Sequence, residues 1–80
     1  MRLDKFLKVS RIIKRRTVAK EACDGGRVSI NDKIAKAGTE VQEGDIIEIR
    51  FGAKTSKYKV LSLKEAIRKE EAGLMFQIIE

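Results

Sequence analysis

The chain has 80 residues and a formal charge of +6, with one cysteine, no histidine and no proline. A chain this short holds one modest core, and it lacks the side chains that most often serve as general base or zinc ligand. An internal disulfide is excluded, no apolar run approaches the roughly 20 residues of a membrane span, and neither enzyme activity, a metal nor a cofactor is expected.

Residues 2–9 read as a short helix, because Leu3, Phe6 and Leu7 recur at i, i+3 and i+4. Arg2, Lys5 and Lys8 fall on the opposite side and give that helix a basic face. Ser10 to Arg16 break the period and crowd Arg11, Lys14, Arg15 and Arg16 into the connection. Thr17 is the expected N-cap of a second helix running to about Asp24. Val18, Ala19, Ala22 and Cys23 share one face of it, small enough for close packing against a neighbour. Gly25-Gly26 suits the left-handed residue that ends a helix.

Beyond this point the period changes to two. Arg27-Val28-Ser29-Ile30 alternates, Asn31-Asp32 is a turn pair, and a short strand returns near Lys33–Lys36. Glu43-Gly44-Asp45 opens a strong strand over residues 46–51. Gly52 to Ser56 reads as a polar loop before a strand from Lys57 to Leu63. A charged helix is expected over Lys64–Ala72, and a last strand over Leu74–Ile79. The fold class is therefore α+β: a helix pair, then a small curled antiparallel or mixed sheet, with one late short helix. No internal repeat is visible, and residues 1–80 read as a single domain.

Charge is distributed very unevenly along these elements. Eight of the eighteen Lys and Arg residues lie in the first twenty positions, where Asp4 is the only acid. The other sixty residues carry ten basic and eleven acidic side chains, so the N-terminal segment holds the whole excess. Like charges this dense repel one another unless a polyanion offsets them, and nucleic acid is the natural polyanion. Arg2, Arg11, Arg15 and Arg16 are the leading contacts, since guanidinium can grip a phosphate through two hydrogen bonds. Lys5, Lys8, Lys14 and Lys20 act as point charges toward the backbone, and Arg27 and Lys33 are further candidate contacts.

Asp4 has a structural explanation: a carboxylate near a helix N-terminus is favourable and can orient a neighbouring arginine. Cys23 reads as buried filler rather than a redox thiol. The aromatic residues Phe6, Phe51, Tyr58 and Phe76 are too dispersed for a base-stacking platform, with Phe6 and Phe76 assigned to the core. Recognition is then of nucleic-acid shape and phosphates more than of base sequence.

The segments Arg2-Leu3-Asp4-Lys5-Phe6-Leu7, Ser10-Arg11, Arg15-Arg16-Thr17-Val18-Ala19 and Gly26-Arg27-Val28-Ser29-Ile30-Asn31 resemble the S4 RNA-binding domain family over about residues 1–52. Asp32 stands where that family prefers glycine, which predicts an altered turn rather than a lost fold. On this resemblance the RNA-binding core covers about residues 1–60, with a C-terminal helix and strand over about 61–80 packing on it.

The start Met-Arg-Leu-Asp-Lys-Phe-Leu-Lys is further similar to small stand-alone S4 proteins of the heat-shock and RqcP branches. That resemblance implies binding to obstructed large ribosomal subunits, through large-subunit rRNA and peptidyl-tRNA. In the RqcP branch it also implies stabilising peptidyl-site tRNA during alanine tailing of stalled chains, alongside RqcH. The heat-shock branch carries a long basic C-terminal extension; the end at Glu80 points to the shorter branch. The expected protein is cytoplasmic, monomeric off the ribosome and without a membrane partner. The competing RNA reading is an accessory of ribosome assembly or rRNA modification. A membrane-surface role is disfavoured because the first helix is only about two turns long and has no tryptophan.

Overall fold

Leu3, Phe6 and Leu7 are fully buried, which fixes the inward side of helix α1 (Leu3–Val9) as the apolar spacing predicts. The computed structural model describes residues 1–64 and 68–79. Helix α1 has no side-chain cap at its start. Its first amides are met by backbone instead: Leu3 N–H donates to the Thr39 carbonyl at 2.8 Å, and Asp4 N–H to Ala37 at 3.1 Å. The 37–41 loop thus closes the helix start, and the Val41 amide returns a bond to the Met1 carbonyl at 2.9 Å.

Helix α2 (Arg16–Asp24) begins one residue before the expected cap. Arg15 is the N-cap residue, extended and without a side-chain hydrogen bond, so Thr17 lies inside the first turn and is no cap. Ala19, Ala22 and Cys23 form the buried stripe, at i, i+3 and i+4. Val18 sits about 100° away from Ala19 around the helix and is 41% exposed, so it leaves the predicted apolar face.

The end of α2 follows the sequence closely. Gly26 takes φ 78°, its amide donates to the Cys23 carbonyl at 3.1 Å, and the Arg27 amide reaches Ala22 at 3.0 Å. Those two bonds satisfy carbonyls the helix would otherwise leave open.

Among the described residues, five strands form one antiparallel sheet in the order β2-β1-β3-β4-β5: β1 (Val28–Ile30), β2 (Lys33–Ile34), β3 (Ile46–Phe51), β4 (Lys54–Val60) and β5 (Phe76–Ile79). The Asn31-Asp32 turn has both residues left-handed, at φ 50° and 68°, as a two-residue hairpin of mirror-image type demands. Aspartate therefore accepts the conformation that glycine would take more easily. Asn31 also fixes the start of β3: its Oδ1 accepts the Ile46 amide at 3.0 Å, and its Nδ2 donates to Asp45 at 3.1 Å.

Several boundaries in the sheet half also differ from the sequence reading: β2 ends at Ile34, β4 runs Lys54–Val60 and not Lys57–Leu63, and β5 begins at Phe76 and not Leu74. The polar stretch 52–56 is mostly strand: Phe51 pairs with Lys54, leaving only Gly52 and Ala53 in the hairpin. Gly52 at φ 61° lets the strands turn that tightly, and polar side chains are no obstacle where β4 is exposed. The late helix is a 3-10 helix over Lys69–Leu74, displaced from the predicted Lys64–Ala72, of which 65–67 lie outside the described residues. Met75 after it is buried, and β5 adds to the edge of the sheet beside β4.

Val28, Ile47, Ile49 and Val60 from the sheet join Leu3, Phe6, Leu7, Ala19, Ala22 and Cys23 in one core cluster. Each large side chain fully buried there contributes about 1.5–3 kcal/mol. Phe6 is core as expected. Phe76 is only partly buried, edge-to-face with Tyr58 at a centroid distance of 5.4 Å.

Candidate nucleic-acid interface

Asp4 is only 2% exposed, and it draws together an arginine at the entry to α1 and one at the start of α2. Arg2, at the entry to α1, donates Nε–H to its Oδ1 at 3.2 Å and Nη2–H to its Oδ2 at 3.5 Å. Arg16, the first residue of α2, donates Nε–H to the same Oδ2 at 3.4 Å. The 2.9 Å bond from the Lys5 amide adds a further donor to Oδ1. Burying a carboxylate is costly unless it is paired in this way.

Both arginines remain about half exposed, at 50% and 49% of the side chain. Arg2 is held through Nε and Nη2 and Arg16 through Nε, and about half of each side chain remains open to solvent. Arg2 also lies beside Gly38, where an added Cβ would meet its Nη2 at 3.9 Å. The 37–41 loop that caps α1 therefore also borders this arginine.

Lys8, Arg11, Lys14, Arg15 and Lys20 are exposed, and Lys5 is partly buried. Among the described residues, Lys8, Arg11, Lys14, Arg15 and Lys20 have no salt-bridge partner. The structure thus brings Arg2 and Arg16 together through Asp4, and leaves those five as exposed cations on α1, α2 and their connection. Arg27 and Lys33 are exposed on the segments flanking and forming the first hairpin.

The start of α2 is unusual electrostatically. Its first turn has no acidic residue and no side-chain cap, while Arg15 and Arg16 stand at the positive end of the helix dipole. Such an arrangement is unfavourable for the isolated protein and favourable toward an anion.

The connection contains a feature that periodicity does not disclose. Ser10 is buried and its hydroxyl donates to the Leu7 carbonyl at 3.3 Å. Arg11 then adopts φ 64°, and its amide donates to the Lys8 carbonyl at 3.1 Å. A polar residue followed by Arg at the position where glycine usually ends a helix was the available signal. A non-glycine residue in this region costs roughly 1–2 kcal/mol and often marks a functional position.

Cys23 does not belong to the interface. It is fully buried, and its thiol is pushed up to about 11, first by burial and then by the charges of Asp4 and Asp24. No group of His, Cys, Asp and Glu suited to a metal ion occurs among the described residues, and none of their helices is long and apolar enough to cross a membrane.

A family model described as the S4 domain matches residues 1–47. The chain is 56% identical to the RQC P-site tRNA stabilizing factor of Halalkalibacterium halodurans, covering 98% of this chain and 89% of that protein. The Bacillus subtilis factor of the same name is 55% identical over the full chain and 93% of the relative. Among solved structures, Heat Shock Protein 15 of Vibrio cholerae, determined as a trimer, superposes with a TM-score of 0.89 at 29% identity. That match covers 99% of this chain and 81% of the other.

Proposed function

The chain belongs to the S4 domain family, and we propose that it acts as a non-catalytic RNA-binding factor of ribosome-associated quality control, stabilising tRNA in the peptidyl site. The observation that carries this reading is the convergence of Arg2 and Arg16 on buried Asp4. It turns a dense positive charge into an ordered pair of guanidinium groups at the junction of two helices. The similarity to factors named for P-site tRNA stabilisation supports the same assignment.

In the finer reading, the protein binds large ribosomal subunits obstructed by peptidyl-tRNA and holds that tRNA while the stalled chain receives its alanine tail. Arg2, Arg11, Arg15 and Arg16 contact phosphates, with Lys5, Lys8, Lys14 and Lys20 adding attraction. Large-subunit rRNA and tRNA are bound together, and RqcH is the protein partner. Binding two RNAs at one site makes the assembled particle a stronger target than either RNA alone. The protein works as a single domain in the cytoplasm, monomeric when off the ribosome.

Sedimentation tests the assignment. Arg16→Ala is expected to lower recovery with obstructed large subunits while circular dichroism stays unchanged. Equal recovery of the variant and the parent protein would remove Arg16 from the interface.

A further inference from the structure

An RNA-binding surface gains nothing from an anion by charge alone. Asp4 is nevertheless the only acid among the first twenty residues, and it lies where Arg2 and Arg16 meet. It subtracts one unit of positive charge from the basic surface, and its burial carries a desolvation cost. Its geometry offers the compensation. Two guanidinium groups placed side by side repel, and one carboxylate accepting the Nε–H of each holds both in fixed orientations.

Asp4 thereby engages Nε and Nη2 of Arg2 and Nε of Arg16, while each arginine side chain stays about half exposed. A phosphate group presents oxygens that accept donors from two arginines at once. Resting on the RNA-binding reading above, we propose that Asp4 is a positioning residue that aims Arg2 and Arg16 jointly at one phosphate of the RNA backbone.

The substitution Asp4→Asn separates this role from simple electrostatics, because the two predict opposite signs. It keeps the size of the side chain and raises the net charge by one. Electrostatic attraction alone would tighten RNA binding and steepen its salt dependence. Loss of positioning weakens binding by about tenfold, the loss expected for one charge-assisted contact, and makes the salt dependence shallower.

The measurement is binding of the full chain to purified tRNA and to isolated large ribosomal subunits across a salt series, at a temperature where both proteins are folded. Arg16→Ala in the Asp4→Asn background is expected to cost much less than in the parent, since the pair is already uncoupled. Binding by Asp4→Asn that equals or exceeds the parent's, or additive effects of the two substitutions, overturns the proposal. Should Asp4→Asn not fold, Arg16→Lys provides the test: it keeps the charge but loses the fork, and undiminished binding overturns the proposal. Absence of salt-sensitive binding by the parent protein would instead remove the RNA-binding reading itself.

Discussion

The Ser10 hydroxyl donates to the Leu7 carbonyl at 3.3 Å from a buried position, and the next residue, Arg11, turns the chain through φ 64°. The two residues together end α1 and set the path toward α2. The Leu7 carbonyl accepts both the Ser10 hydroxyl and the Ile13 amide, the latter at 3.1 Å, while Arg11 occupies a conformation that glycine would hold at lower cost.

Arg11→Gly is therefore expected to move stability and RNA binding in opposite directions. Relief of the left-handed backbone exceeds the entropy that glycine adds to the unfolded chain, so stability rises by about 0.5 kcal/mol. Loss of an exposed guanidinium weakens attachment to RNA. Urea unfolding, with midpoint rising at constant slope, reads the first effect. A salt series of tRNA binding reads the second. Parallel changes in both would show that Arg11 serves only the fold.

Gly25 gives a second prediction, and dihedral angles alone would miss it. Its φ of −80° is open to any residue, yet a Cβ there would lie 2.9 Å from the Glu21 carbonyl oxygen. That oxygen is helix backbone and cannot swing aside. Gly25→Ala is expected to destabilise the fold by roughly 1–3 kcal/mol through this overlap. Thermal unfolding checks it, and a neutral result would mean the end of α2 shifts freely.

The thiol of Cys23 supplies the pH dependence. An unfolded thiol ionises near its ordinary value of 9.0, whereas the folded one is held up to about 11. Between these values the unfolded chain releases a proton that the folded chain keeps. This contribution to stability is thus present below about pH 9 and is lost as pH rises toward 11, amounting to roughly 2–3 kcal/mol at most. The slope should vanish in Cys23→Ala, measured by urea unfolding at a series of alkaline pH values. In the native protein the buried thiol should also react slowly with alkylating reagents until the chain unfolds.

Much of this arrangement is legible in the residues themselves. The stripe of Leu3, Phe6 and Leu7 identifies α1, and Gly25-Gly26 identifies the end of α2, because each rests on local geometry that few residues satisfy. Local reading is weaker where neighbours decide. The start of α2 carries no cap of its own, so Thr17 was a natural candidate that the extended Arg15 displaces. Val18 is apolar but lies just outside a stripe set by the packing of Ala19, Ala22 and Cys23. Polar residues 54–56 join a strand because β3 pairs with them across a two-residue hairpin.

The interface shows the same division. Excess charge at the N-terminus is a property of sequence alone, and a carboxylate at Asp4 is favourable near a helix start. That Arg2 and Arg16 share its carboxylate is a tertiary fact, produced by the crossing of two helices twelve residues apart at the Asp4–Arg16 contact. The left-handed Arg11 is likewise visible only once the chain is folded.

The most direct measurement is crosslinking of the protein to RNA in intact cells, followed by identification of the recovered species. A protein that steadies peptidyl-site tRNA on the large subunit should yield tRNA and large-subunit rRNA together, with both lost in Arg16→Ala. Recovery of precursor rRNA without tRNA, or of no RNA above background, would contradict the account.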